Sequence, residues 1–383
     1  MENTNSNDND SNNNNTETKL FPNDELIEWF ETQTYFSLTK KYSKIFSKIL
    51  VDSLDIKGKH NFKNKSKKLL IVGDLGNENN RTSAIIISSF VLAAKKLNIN
   101  FHIELQPLKQ KGERMEKNIS SALMELPEKN NIILCNSRII GSINKLGSSF
   151  EKFANLRKHK FVILDDLGEI PQENIKELIK GIAINSSSLE KKAKKIKAKL
   201  QNANELKITN NLGTEITITN LKTVSINSGK YYGRENGGQL PAGEIIIYPQ
   251  ESINGILFID NSFRHNQGTT LIERPIKIDI EKGIITSIQG YYEAELLKRS
   301  LSNAAVGILN PKNIYKIFQF GLGINKFVKK ASSSIVNKKA VNTANITLGR
   351  DSETNSSINT SIKFDQVFNN PQFFLDGKKT NLI

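Results

Sequence analysis

The chain has 383 residues, a formal net charge of +15 from 54 Lys and Arg against 39 Asp and Glu, and a single cysteine. That length allows two domains, each with its own buried core. No apolar stretch reaches the roughly 18 residues of a membrane-spanning helix, and the Asn-, Ser- and acid-rich start lacks the basic and apolar regions of a signal peptide. The expectation is a cytoplasmic protein with no membrane contact, beginning with a disordered Asn-rich tail over residues 1–18, where too few apolar groups offset the entropy of ordering.

From Asp24 to Ile56 the spacing of Leu26, Ile27, Phe30, Tyr35, Leu38, Tyr42, Ile45 and Ile49 predicts one amphipathic helix, with Asn23 or Asp24 as its cap. A Lys/Asn-rich linker, Lys57 to Lys67, follows. Short apolar runs then alternate with helical patterns. Strands are predicted at 68–73, Phe101 to Leu105, Asn131 to Cys135 and Phe161 to Asp165, and helices at 82–97, 113–126, 143–157, 173–184 and 189–202. This alternation predicts a mostly parallel sheet covered on both faces.

After Glu205 the period becomes two. Leu206 to Thr209 and Thr214 to Thr219, separated by Asn210-Asn-Leu-Gly213, read as a hairpin, and further strands are predicted at 244–248, 255–259, 275–279 and 283–288. A helix over 292–301 and more strands complete the chain. The fold class expected is an N-terminal α/β domain (19–204) with a mostly parallel sheet, joined to a C-terminal β-rich α+β domain (205–383).

Few residues offer chemistry. Cys135 sits in an apolar run and reads as a buried structural thiol. Asp74 to Thr82 links a strand to a helix but has no phosphate-loop spacing, so it reads as a plain βα turn. Asp165-Asp166 ends a strand and resembles a carboxylate pair for a metal, but reads better as the start of a turn. The four histidines, His60, His102, His159 and His265, are isolated, and none has zinc-ligand spacing. His102, between Phe101 and Ile103, is expected to fill a strand face. The basic run Glu190 to Lys199 fits a helix with a solvated lysine face. The alternative, a nucleic-acid patch, lacks interleaved aromatic residues.

Five segments share an order and spacing that resemble the aminopeptidase T family, the thermophilic leucyl aminopeptidases: Leu240-Pro-Ala-Gly-Glu-Ile-Ile, Phe320-Gly-Leu-Gly-Ile-Asn325, Ala344-Asn-Ile-Thr-Leu-Gly349, Ser361-Ile-Lys-Phe-Asp365 and Phe374-Leu-Asp-Gly377. That resemblance implies a homodimer and a two-metal hydrolytic site. Carried over position by position, the implied site is Glu244, Gln319, Asn345, Lys363 and Asp365. Only Glu244 and Asp365 keep a ligating carboxylate, while Lys363 and Asn345 stand where the family has histidines and Gln319 where it has Glu. A lysine neither ligates nor tolerates a dication, so no catalytic metal is expected. The Lys363 ammonium, sharing a strand face with Asp365, is expected to neutralise both carboxylates, unless both residues simply face solvent on an edge strand. The stretch Ile335-Val-Asn-Lys-Lys-Ala340 also departs from the family by lacking an acidic residue.

Three readings follow. The first is an aminopeptidase T-like protein that lost its catalytic metal and keeps a cleft for a peptide or small molecule. The second is an active, proteolytic metallo-aminopeptidase, a hydrolase, holding Zn, Co or Mn through Glu244, Asp365 and further ligands such as Asp351 or Glu353. The third is a basic nucleic-acid-associated protein.

Overall fold

The computed structural model describes residues 23–58, 69–232, 236–331, 333–349 and 363–383. The tail over 1–18, most of the Lys57 to Lys67 linker, His60, Asp351 and Glu353 lie outside the described residues. The chain forms an N-terminal α/β region with a parallel sheet and a C-terminal β-rich part with two antiparallel sheets.

The first sheet has five parallel strands in the order Phe101–Leu105, Leu69–Gly73, Asn131–Cys135, Lys160–Leu164 and Gly237–Gln239. Its three central strands are buried at every position, and the pleat sends alternate residues to opposite faces. Leu69, Ile71, Ile133, Val162 and Leu164 join the main core, with Ile86 and Phe90 of helix Thr82–Lys96. Leu70, Val72, Ile132, Leu134, Phe161 and Ile163 form a second core under helices Lys117–Glu125 and Phe150–Leu156. The edge strand Gly237–Gln239 comes from the later half of the chain and shows no apolar pattern in the sequence.

Several expected elements are reshaped by their packing. The predicted first helix is two, Asn23–Thr32 and Phe36–Asp52. Phe30 and Tyr35 are both buried, and a continuous helix would point residues five apart about 140° from each other. The break lets both face the core. The helix expected at 143 starts at Phe150, where Ser149 Oγ accepts from Lys152 N at 3.2 Å. His102 does not fill a buried face: it is exposed on an edge strand, with Nε2 2.6 Å from Glu104 Oε1.

The second sheet orders its strands Ile284–Gln289, Ile276–Glu281, Ile253–Ile259, Glu215–Ile218, Leu206–Thr209, Gln372–Leu375 and Lys378–Lys379, and contains the expected hairpin. The third runs Gly268–Leu271, Ser262–His265, Lys363–Asn369, Thr343–Gly349, Ile317–Gly323, Glu244–Ile247 and Val224–Asn227. The link Leu240 to Gly243 carries the chain from the edge of the first sheet directly into the third. Gly243 has φ +121, and a Cβ there would stand 2.5 Å from Asn325 Cβ. Asn325 in turn donates to Ala242 O at 2.7 Å and Gly181 O at 2.9 Å. This close approach fixes the third sheet against the carboxyl ends of the first.

Phe46 is fully buried and meets Phe90 edge-on, with ring centroids 4.4 Å apart. Phe46→Ala is expected to destabilise the fold by about 3–5 kcal/mol, read as a lower urea midpoint at unchanged slope.

Candidate functional site

The third sheet builds the site by register. Gly323 pairs with Glu244, Gly321 with Asn345, and Thr347 with Asp365. Gly321 leaves space over its own strand: a Cβ there would lie 2.5 Å from Glu244 Oε1 and 2.2 Å from Asn345 Nδ2. Through that gap Asn345 Nδ2 donates to Glu244 Oε1 at 3.1 Å, reaching across the intervening strand. Two residues along the same strand, Thr347 Oγ1 donates to Asp365 Oδ1 on the next strand at 2.7 Å. Both carboxylates are buried, at 1% exposure each.

Their charge is met by two lysines from a short turn lying over the sheet. Lys338 Nζ stands 3.1 Å from Asp365 Oδ1 and 3.8 Å from Glu244 Oε2, so one ammonium bridges both acids. Lys339 Nζ donates to Glu244 Oε2. Burial alone would raise the Glu244 carboxyl, but the Lys338 and Lys339 charges overcome it and hold it below the usual range. Burial would likewise raise Asp365; Lys338, Lys363 and the Thr347 hydroxyl hold it low. Burial pushes Lys339 down to about 8 although Glu244 opposes the shift.

The five positions drawn from the sequence do meet. Glu244, Asn345 and Asp365 join through hydrogen bonds and the shared Lys338, while Gln319 and Lys363 line a cavity of about 530 Å³ with Glu244 and both lysines. Lys363 is half-buried at the cavity wall and helps to hold Asp365 low, while Lys338 and Lys339 make ion pairs with the two carboxylates. The edge-strand alternative also fails, because Lys363–Asn369 is paired on both sides.

A second cavity, about 270 Å³, opens beside the first and shares Lys363, Gln239 and Glu151 with it. It lies outside the carboxyl ends of the parallel strands, where α/β folds place ligands. Asp166 does start a turn, with φ 58, and it grips Arg264 of the third sheet through both carboxylate oxygens, Oδ1 at 2.7 Å from a guanidinium nitrogen. Beside it, burial and the Asp166 charge push Asp165 up to about 7, against a hydrogen bond from Asn136. Burial and Asp166 push Glu169 up to about 7 as well. Burial, then Arg264 and Arg138, lower His265, whose Nε2 lies 2.9 Å from Thr270 Oγ1. Asp74 serves the scaffold: its carboxylate accepts from Gly76 N at 2.8 Å and Ser137 N at 2.7 Å. Cys135 is buried, and burial raises its thiol well above the ordinary value.

The architecture is an α/β sheet facing an antiparallel sheet, with a polar cleft between them. The sequence profile of the NicX family, 2,5-dihydroxypyridine 5,6-dioxygenase, matches residues 75–380, and the chain belongs to this family. A solved structure of 2,5-dihydroxypyridine dioxygenase from Pseudomonas putida KT2440 has the same fold, with a TM-score of 0.65 at 14% identity over 89% of this chain and 95% of that one. No curated protein sequence matches the chain.

These findings correct the aminopeptidase T resemblance. With it fall the aminopeptidase, proteolytic and pseudo-peptidase readings. The nucleic-acid alternative is not favoured either. In the basic helix Ser186–Gln201, Leu189, Ala193, Ile196 and Leu200 pack into the core, and Glu190 takes Lys194 at 2.6 Å and Lys230 at 3.0 Å.

Dioxygenases of this family are metal-dependent, working with iron. The residues present do not fit that ion. Iron at such a site wants imidazole and carboxylate ligands with open positions, and among the described residues no group of three His, Cys, Asp or Glu could hold a metal. Glu244 and Asp365 are instead engaged by two ammonium groups, an amide and a hydroxyl.

Lys339→Met would leave Glu244 with half its compensating charge, and a loss of about 3–5 kcal/mol is expected from equilibrium denaturation. Asp165 predicts a pH effect. Its folded value is raised, so the native state holds a proton that the unfolded chain has released between about pH 4 and pH 7. Its stabilising share is full below that window and lost as pH rises through it. Asp165→Asn should therefore flatten the fall in melting temperature from about pH 5 to pH 8.

Proposed function

We propose that this protein binds a small hydroxylated heteroaromatic ring, the substrate class named by its family, in the 270 Å³ cavity at the strand ends. The observation that carries this reading is the wall of that cavity, where Asp165 and Glu169 titrate near neutrality beside Arg264, Arg138 and Lys111. A hydroxypyridine presents ring hydroxyls, a ring nitrogen and, when ionised, an oxyanion. Carboxyl groups poised near pH 7 can donate to or accept from the hydroxyls and the nitrogen. The guanidinium and ammonium groups would face the oxyanion. The cavity volume suits one substituted ring rather than an extended ligand.

The family match over residues 75–380 favours a second reading, ring-opening dioxygenation of a dihydroxypyridine. The two readings separate in one experiment. Anaerobic titration with 2,5-dihydroxypyridine, followed by its ultraviolet absorbance, should show saturable binding. Asp165→Asn or Glu169→Gln should weaken that binding by about 3- to 10-fold, the worth of one hydrogen bond. Absence of binding by both this ring and its monohydroxy analogues would refute the ligand class. Oxygen uptake matching ring loss after addition of ferrous iron would establish dioxygenation instead.

A further inference from the structure

We infer that Lys338 and Lys339 do for Glu244 and Asp365 what a shared dication would do, so that this pair of carboxylates is complete with two ammonium groups and takes no metal. The inference rests on the ion quartet alone and stands whether or not a hydroxylated ring is the ligand.

Position is the first ground. Lys338 Nζ lies within 4 Å of both carboxylates, the place a dication shared by them would occupy. Charge is the second. Two buried carboxylates need two positive charges, and the two lysines supply them, each only 2% exposed along its side chain. The third is rigidity, since the turn that delivers both ammonium groups is pinned at many points. Asn337 Nδ2 donates to Asn261 Oδ1 and Ser262 Oγ, each at 3.1 Å. Ser334 N donates to Thr269 Oγ1 at 3.1 Å, and Lys339 O accepts from Asn325 N at 2.9 Å. The lysines are therefore held in place by the backbone beneath them and are not surface side chains that have folded inward. An incoming dication would have to expel two anchored cations of like charge.

The replacement changes what the cleft can do. An ammonium offers positive charge and protons to a bound oxyanion but has no coordination site for dioxygen. With their charge matched by Glu244 and Asp365, Lys338 and Lys339 make the wall of the larger cavity polar.

The test uses the full chain, incubated anaerobically with ferrous iron, desalted and analysed for metal, alongside Glu244→Gln and Lys338→Ala. Wild type is expected to keep only traces of iron, with a melting temperature unmoved by ferrous iron or by a chelator. Lys338→Ala is expected to melt lower, on the order of 5–10 °C, and a dication, but not sodium at matched ionic strength, should recover part of that loss. Wild type retaining about one iron per chain, lost in Glu244→Gln (or in Asp365→Asn if that variant does not fold), overturns the inference. So does a folded Lys338→Ala protein that no dication stabilises. If Lys338→Ala fails to fold, the wild-type metal content decides.

Discussion

The buried contacts of Glu244 and Asp365 with Lys338 and Lys339 set the terms for the rest of the site. Opposite charges about 4 Å apart attract by roughly 4 kcal/mol at an effective dielectric near 20, while removing each ion from water costs several kcal/mol. Such a cluster persists only where hydrogen bonds satisfy the remaining lone pairs. Asn345 and Thr347 provide them, one to each carboxylate. The geometry needs Gly321 without a side chain, four strands in one register, and a turn held against the sheet by Asn325 and Asn337. Loss of either lysine or either carboxylate would leave a buried charge unmatched.

A few residues from this quartet, the same cleft treats carboxyl groups in the opposite way. Glu244 and Asp365 are held low because cations touch them. Asp165 and Glu169 are raised because they are desolvated beside the Asp166 charge, which outweighs the opposing pull of Arg264. Environments that push like groups apart mark a site able to handle protons. The division is also spatial: the fixed charges lie over the third sheet and the titrating ones at the ends of the first.

The misleading resemblance has a physical explanation in the segments that carried it. Leu240 to Gly243 is the link between sheets, and Phe320-Gly-Leu-Gly supplies the space over the site. Ala344 to Gly349 and Lys363 to Asp365 are adjacent strands of the same sheet. These are demands of scaffold construction, and a scaffold does not specify the chemistry carried out upon it.

Sequence alone determined the elements whose periodicity is local. The apolar β-runs, the hairpin at Leu206 to Ile218 and the lysine-faced helix follow from side-chain alternation and turn residues within a few positions. Glu244, Gln319, Asn345, Lys363 and Asp365 were singled out only through the aminopeptidase T resemblance, and it is the third sheet that brings them to one cleft. Tertiary structure decided which cation meets which acid. Lys338 and Lys339 were visible only as a departure in the Ile335 to Ala340 stretch, and no local pattern tells that a lysine 95 residues from Glu244 will be buried against it. The edge strand Gly237–Gln239 and the Asp166–Arg264 clasp, 98 residues apart, were equally hidden. Such pairings are fixed by the packing of one sheet on another, and so by distances that sequence spacing does not contain.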